Sequence, residues 1–431
     1  MESYKERLHK VIPGGAHTYS RGDDQFPINA PDILEKGEGA YVFDPKGKKY
    51  LDYGMGLRSV NIGYGNKEIA DACYHEILMG NNLTRASITE LHAAELLTKL
   101  IPSVEMVKFA KHGSTVTSAA MKLARAYTGR KYIAVPLEQP FFSFDDWFIG
   151  STVMNRGIPS EIQTLTVKFH YNNIESLKQL FIQYPKQIAG VMMEAATTVE
   201  PTDDFLSKVQ EECKNNGSLF IIDEMITGFR WHMQGAQTYF NIQPDLCTFG
   251  KAMANGLAVA ALGGKREIME LGSILTEGKE RVFLTSTTHG AEMSGLGAFI
   301  KTIEILQRDN VVEHFWSYGR ALMDGMNKIA DDLEISKYFY VEGYPCSPSY
   351  VTTNKIGEIS LPMRTLFAQE MIKNGVIMPY IAISQAHKSK ELDLTLNAVK
   401  HSLEIYKKAL EGDINEYLTS PVIKPVFRKF N

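Results

Sequence analysis

Two short apolar runs, each closing on an acid, constrain this chain more than any other feature. "GVMMEAA" (Gly190 to Ala196) and "SLFIIDE" (Ser218 to Glu224) read as buried strands. The segments ahead of them, "NIESLKQLFIQY" (Asn173 to Tyr184) and "FLSKVQEECKNNG" (Phe205 to Gly217), carry helical spacing and end in polar or glycine signals. Strand–helix–strand alternation of this kind builds a mostly parallel sheet with helices on both faces, an α/β fold. Two regions depart from it. "GAYVFDPKGKKYLDYGMG" (Gly39 to Gly56) reads as a hairpin around the turn at Asp44 to Lys48. Beyond about residue 300, long helical patterns such as "GLGAFIKTIEILQR" (Gly295 to Arg308) mix with β-like pieces. We therefore expect a large α/β domain over 58–299 and a smaller α+β domain assembled from 1–57 and 300–431.

Composition narrows the function classes. The 431 residues are 44% hydrophobic and 22% charged, with a formal charge of −4. That balance argues against a dedicated nucleic-acid or membrane-surface protein. Cys73, Cys213, Cys247 and Cys346 are scattered without a CxxC pair, so neither a metal site nor a disulfide framework is expected. The N-terminus is charged, with no apolar signal core, and no run approaches the roughly 18 apolar residues of a membrane span. The expected location is the cytoplasm.

Four features carry chemistry. Asp223 and Glu224 end a strand, where parallel sheets bind ligands, and "MITGFR" follows them as a turn. Lys251 lies in "PDLCTFGKAMANGLAVAALGG" (Pro244 to Gly264), an apolar stretch. Such a lysine either snorkels out to water or, stripped of water, becomes an amine nucleophile able to form a Schiff base. "KHGSTVTSAAMKLARAYTGR" (Lys111 to Arg130) opens a helix whose buried face is expected to include Val116, Ala120, Leu123, Ala124 and Tyr127. Its Ser114 and Thr115 are either ordinary caps or, with the free N–H groups of the helix start, a phosphate cradle. "EQPFFSFDDWF" (Glu138 to Phe148) gathers aromatic residues among acids, as core or as cover for a flat ring. A phosphate cradle, a strand-end acid, an apolar lysine and an aromatic cover together suit pyridoxal 5'-phosphate.

On these residues the chain resembles the class III pyridoxal-phosphate aminotransferases of fold type I, and within them the glutamate-1-semialdehyde aminomutases and their relatives. "IIDEMITGFR" is similar to the strand-end signature of that family, and "TFGKAMANGLAVAALGG" to its Schiff-base segment. The resemblance runs from "VIPGGAHTYSRG" to the C-terminal helices. It implies that Asp223 contacts the pyridine nitrogen and that Lys251 is the anchor and proton carrier. It further implies phosphate contacts from Gly113, Ser114 and Thr115, and ring stacking by Phe141, with Phe142 one residue away. Glu194 would stand near the active face of the cofactor. Thr287 would reach the phosphate of a neighbouring subunit, which implies a homodimer with shared sites. Arg21 would bind a substrate carboxylate, with His17, Arg58 and His289 as further pocket residues. The resemblance is imperfect in places: "HGSTV" replaces the usual Ser-Gly-Thr-Glu-Ala, and Leu57 stands where aminomutases place a tryptophan. It leans toward members that aminate acidic sugars, such as the maker of 8-amino-3,8-dideoxy-manno-octulosonate for lipopolysaccharide. The implied activity is transfer from an amino acid, glutamate, to an oxo-acid or oxo-sugar, with an aminomutase as the alternative.

Overall fold

The computed structural model describes residues 2–275 and 277–431. The chain forms two compact units, one of Met1–Asn66 with Glu313–Arg428, the other of Lys67–Val312 with Lys429–Asn431.

In the first unit, β1 (Lys36–Glu38), β2 (Tyr41–Phe43) and β3 (Lys49–Asp52) run antiparallel. The β2–β3 turn closes because Asp44 Oδ1 accepts the N–H groups of Lys46 and Lys48, both at 2.9 Å. Directly after β3 the backbone does something rare. Met55, Gly56, Leu57 and Arg58 all take positive φ, at 41°, 58°, 63° and 66°. Each non-glycine residue held there costs on the order of 1–3 kcal/mol, so surrounding contacts must fix the turn. Buried Asp52 supplies them: it accepts from the N–H of Gly54 (2.7 Å) and Met55 (2.9 Å) and from the Tyr64 hydroxyl (2.6 Å). Burial raises the pKa of this carboxyl, against the three bonds that favour its charge.

The second unit is built on seven strands: β4 (Met106–Ala110), β5 (Tyr132–Pro136), β6 (Thr166–Phe169), β7 (Ile188–Met193), β8 (Leu219–Asp223), β9 (Leu246–Phe249) and β10 (Ala260–Gly264). Their order is β4-β10-β9-β8-β7-β5-β6, and only β10 is antiparallel to its neighbours. This is the mostly parallel sheet that the alternating pattern implies, with both central runs landing on β7 and β8. The helices before them span Ile174–Gln183, capped by Asn173, and Phe205–Asn216, closed by Gly217 in the left-handed conformation. Helix Gly113–Thr128 buries Val116, Ala120, Leu123 and Ala124, each worth up to about 1.5–3 kcal/mol for the larger side chains. Tyr127 is a correction: expected on the buried face, it is 42% exposed. It lies in the last turn, where its hydroxyl stays at the surface near Glu267.

The first unit resumes with β11 (Phe339–Glu342) and β12 (Ser349–Thr352), an antiparallel pair, and β13 (Val376–Ile377), which joins β3 in parallel. Helices Leu361–Lys373 and Ser389–Glu411 complete it.

Candidate active site

The parallel strands of the large unit end together. Met193 pairs with Ile222, and Asp223 with Thr248, so Glu194, Asp223 and Phe249 stand at the carboxyl edge of three adjacent strands. Structure separates the two neighbouring acids. Glu224, 1% exposed, spends its carboxylate on the fold: Thr227 Oγ1, the N–H groups of Ala236 and Gln237, and the Gln237 amide all donate to it. It pins the loop after β8 and has little left for a ligand. Asp223, 3% exposed, uses one oxygen only. Its Oδ1 accepts from the N–H of Met225 (2.9 Å) and from Thr248 Oγ1 (3.0 Å). Oδ2 receives no hydrogen bond among the described residues. Burial pushes the Asp223 carboxyl up to about 6, while the nearby charge of Lys251 and the two hydrogen bonds pull it down.

Lys251 follows β9 by two residues and opens a 3₁₀ turn, Lys251–Ala254. Phe249, Met253 and Ala254 are fully buried around it, and the lysine itself is half-buried. Its φ of 43° is a left-handed value at a bulky residue. The sheet register and this bend bring the ammonium close enough to Asp223 for their charges to couple across one strand edge.

Helix Gly113–Thr128 begins directly after β4 and supplies the third corner. His112, in the cap position, does not cap the backbone; its Nδ1 pairs with Thr115 Oγ1 at 2.9 Å. The N–H groups of Gly113 and Ser114 have no acceptor among the described residues. Ser114 Oγ accepts from the N–H of Phe144 (3.0 Å), and Thr117 Oγ1 donates to the carbonyl of Phe142 (3.0 Å), so the aromatic loop is strapped to this helix. Within that loop the two candidate rings part company. Phe142 is 3% exposed and belongs to the core, whereas Phe141 is 45% exposed, its ring edge-on to Phe148 at 6.1 Å.

One contributor has no sequence signal that we read. Gln139, 3% exposed, pairs both ways with the backbone of Glu194: Nε2 donates to its carbonyl (2.9 Å) and Oε1 accepts its N–H (2.8 Å). It ties the Phe141 loop to the end of β7. A buried amide inside an aromatic run is a hint of such a role, but the run does not say what the amide grips.

Other expected residues lie further from this cluster in the chain. Thr287 is exposed, and its carbonyl accepts from Gly290 N–H at 3.3 Å. His289 is exposed too, 3.4 Å from Glu292, which is also bound to Lys111 at 2.7 Å. In the small unit, Arg21 and His17 line a cavity of about 690 Å³, with Asp52, Leu57, Tyr64 and Tyr380 in its wall. The Arg21 guanidinium makes no hydrogen bond or ion pair among the described residues, and its charge acts on the Tyr380 hydroxyl. Arg58 differs: its guanidinium donates to Ser347 Oγ (2.8 Å) and the Ile381 carbonyl (3.3 Å) and lies 4.7 Å over the Tyr380 ring.

Residues 18–378 match the family model described as Aminotransferase class-III. The chain is 31% identical to a glutamate-1-semialdehyde 2,1-aminomutase of Alkaliphilus oremlandii (strain OhILAs) over 93% of this chain and 98% of the relative. It is 33% identical to a 3-aminobutyryl-CoA aminotransferase of Cloacimonas acidaminovorans (strain Evry), over 94% and 97%. Its fold superposes on the FumI protein of Sphingopyxis sp. MTA144, solved in a PLP form, with a TM-score of 0.86 at 24% identity, covering 97% and 98% of the two chains. The cofactor of these enzymes, pyridoxal phosphate, fits the groups present. The unbonded oxygen of a buried aspartate suits a protonated pyridine nitrogen, and uncapped N–H groups at a helix start suit a phosphate. By its sequence the chain belongs to the class-III aminotransferases, enzymes that depend on pyridoxal phosphate.

Proposed function

We propose that this enzyme moves an amino group from an amino-acid donor, glutamate, to the oxo group of a carboxylate-bearing sugar. The proposed acceptor is a compound such as 8-oxo-3-deoxy-manno-octulosonate, and the proposed role is lipopolysaccharide synthesis in the cytoplasm. The resemblance around Arg21 and Leu57 carries the reading, and the cavity that these residues line within the small unit supports it. At about 690 Å³ it is in the range of small-molecule sites and ample for an eight-carbon acid. Leu57 lines it where aminomutases, by the resemblance, carry a larger tryptophan, and the unpaired Arg21 offers a carboxylate two parallel hydrogen bonds.

In this reading Lys251 is the carrier of the cofactor, and Asp223 Oδ2 holds the proton on its pyridine nitrogen. Gly113, Ser114 and Thr115 bind the phosphate, Phe141 covers the ring, and Glu194 borders its active face. Thr287 acts on the partner subunit's phosphate in a homodimer. Arg21 binds the substrate carboxylate, with His17, Arg58 and His289 around the substrate. When bound, pyridoxal phosphate supplies an aldehyde for the amine and a ring that accepts electron density. The Nζ of Lys251 would move a proton between the substrate carbon and the cofactor's aldehyde carbon, a positioned transfer worth roughly 10²–10⁴ in rate.

A second reading, an aminomutase that moves an amino group within one substrate, is favoured by the 31% identity to such an enzyme. A single panel separates them. The enzyme is loaded with pyridoxamine phosphate, candidate oxo-acids and oxo-sugars are added, and the return of the pyridoxal absorbance is followed. The proposal expects an oxo-sugar acid to restore it faster than glutamate semialdehyde does. The reverse order, with no response to glutamate in the opposite half-reaction, would overturn it.

A further inference from the structure

The geometry points to Met225 as a positioning residue: its thioether, seated against Gly113 and Gly250, sets the spacing between the phosphate end and the lysine end of the site. Three independent contacts meet in this one residue. Its N–H donates to Asp223 Oδ1 at 2.9 Å and so turns the other carboxylate oxygen toward the site. Its side chain lies along Gly113, the first residue of the phosphate-end helix. A Cβ added there would stand 2.8 Å from Sδ, 3.2 Å from Cε and 3.6 Å from Cγ. The same sulfur rests against Gly250, the residue before Lys251, where an added Cβ would stand 2.6 Å away. Distances below 3 Å mean that neither glycine can carry a side chain unless Met225 moves. Met225 cannot move freely, because it is 8% exposed and packed into the core of the large unit.

The physical consequence is a three-part lock. The helix start, the acid and the lysine come from β4, β8 and β9 respectively, and the sheet spaces them only by strand. Between the backbone of Gly113 and that of Gly250 the remaining gap is filled by one polarizable, unbranched side chain, which adapts to irregular space better than a branched one. Shortening it leaves a void between the two ends of the site. Enlarging either glycine drives the sulfur off its seat and, through the shared residue, disturbs the N–H that holds Asp223.

The test is a double-mutant cycle on cofactor binding, read without any substrate. Apoprotein is prepared for wild type, Gly113→Ala, Met225→Ala and the pair together. Pyridoxal-phosphate affinity is measured by fluorescence titration, and the pH at which the visible absorbance of the loaded protein titrates is recorded for each. Both single variants should weaken binding about tenfold or more, and the pair should recover most of the Gly113→Ala loss because the smaller side chain vacates the space. The midpoint of the absorbance titration should move in Met225→Ala, since Asp223 and Lys251 lose their common brace. If Gly113→Ala does not fold, Gly250→Ala with and without Met225→Ala gives the same cycle. Met225→Ala with affinity and titration midpoint unchanged, or strictly additive losses in the pair, would overturn the proposal. So would loss of stability in urea with neither cofactor readout altered, which marks a residue that only fills the core.

Discussion

At the scale of single residues, the site turns on a carboxylate placed where charge is costly. Asp223 has its pKa raised to about 6 by burial, against 3.8 in an unfolded chain. The sign follows directly. Below about pH 4 the group is protonated in both states and costs nothing. As pH rises toward 6 the unfolded chain ionises first, so the apoprotein loses stability through that window, on the order of 1–3 kcal/mol. Asp223→Asn should therefore be more stable than the wild-type apoprotein at pH 7, with the difference fading near pH 4, when urea midpoints are compared at both values. The same variant should bind pyridoxal phosphate far more weakly, because an amide cannot hold a charged pyridinium as the carboxylate does. A midpoint difference that is equal at both pH values would show that the carboxylate is not the buried charge described here. Reading Asp223 from sequence was possible, since an acid closing an apolar run is visible. Choosing it over Glu224 was not possible from the run alone. The distinction rests on which of two adjacent carboxylates the following loop consumes, and only the resemblance named Asp223 rather than Glu224.

Secondary-structure elements show where local pattern is enough and where it is not. β7 and β8 were legible because period and length agree, and the helices before them because caps such as Asn173 and Gly217 sit where the apolar spacing stops. Helix Gly113–Thr128 was legible up to its last turn. The left-handed turn at Met55–Arg58 was not. "MGLR" offers one glycine, and nothing local asks Leu57 or Arg58 to take positive φ. That conformation is held by Asp52, by Tyr64 further along the chain, and by Tyr380, whose hydroxyl donates to the Gly54 carbonyl at 3.1 Å. The Gln139 clamp is similar, since it joins residues 55 positions apart. Motifs therefore name the groups proposed to react, whereas the residues that fix their surroundings act through contacts that no window of sequence contains.

For the molecule as a whole, the proposed homodimer makes a separate demand on the surface. Helix Lys67–Leu78 and the segment after it expose Tyr74, Ile77, Leu78, Met79, Leu83 and Ile88, each more than half accessible. Tyr74, Ile77 and Leu78 share one helical face by their spacing. A monomer rarely leaves so many large apolar side chains together in water, so a second copy is the proposed cover. Light scattering on the eluting protein should give the mass of two chains. Replacing Ile77 and Leu78 together with aspartate should shift it to one chain and lower cofactor retention along with it. A wild-type protein that is monomeric at micromolar concentration, yet fully active, would remove the dimer from the account.

The claim on which the chemistry depends is that Lys251, bent into the site beside Asp223, is the amine that carries the cofactor. Borohydride reduction of the pyridoxal-phosphate-loaded protein, followed by digestion and mass spectrometry, tests it most directly. The account predicts a phosphopyridoxyl group on the peptide containing Lys251 and its loss in Lys251→Ala. A label on a different lysine, or no covalent label in a protein saturated with the cofactor, would contradict it.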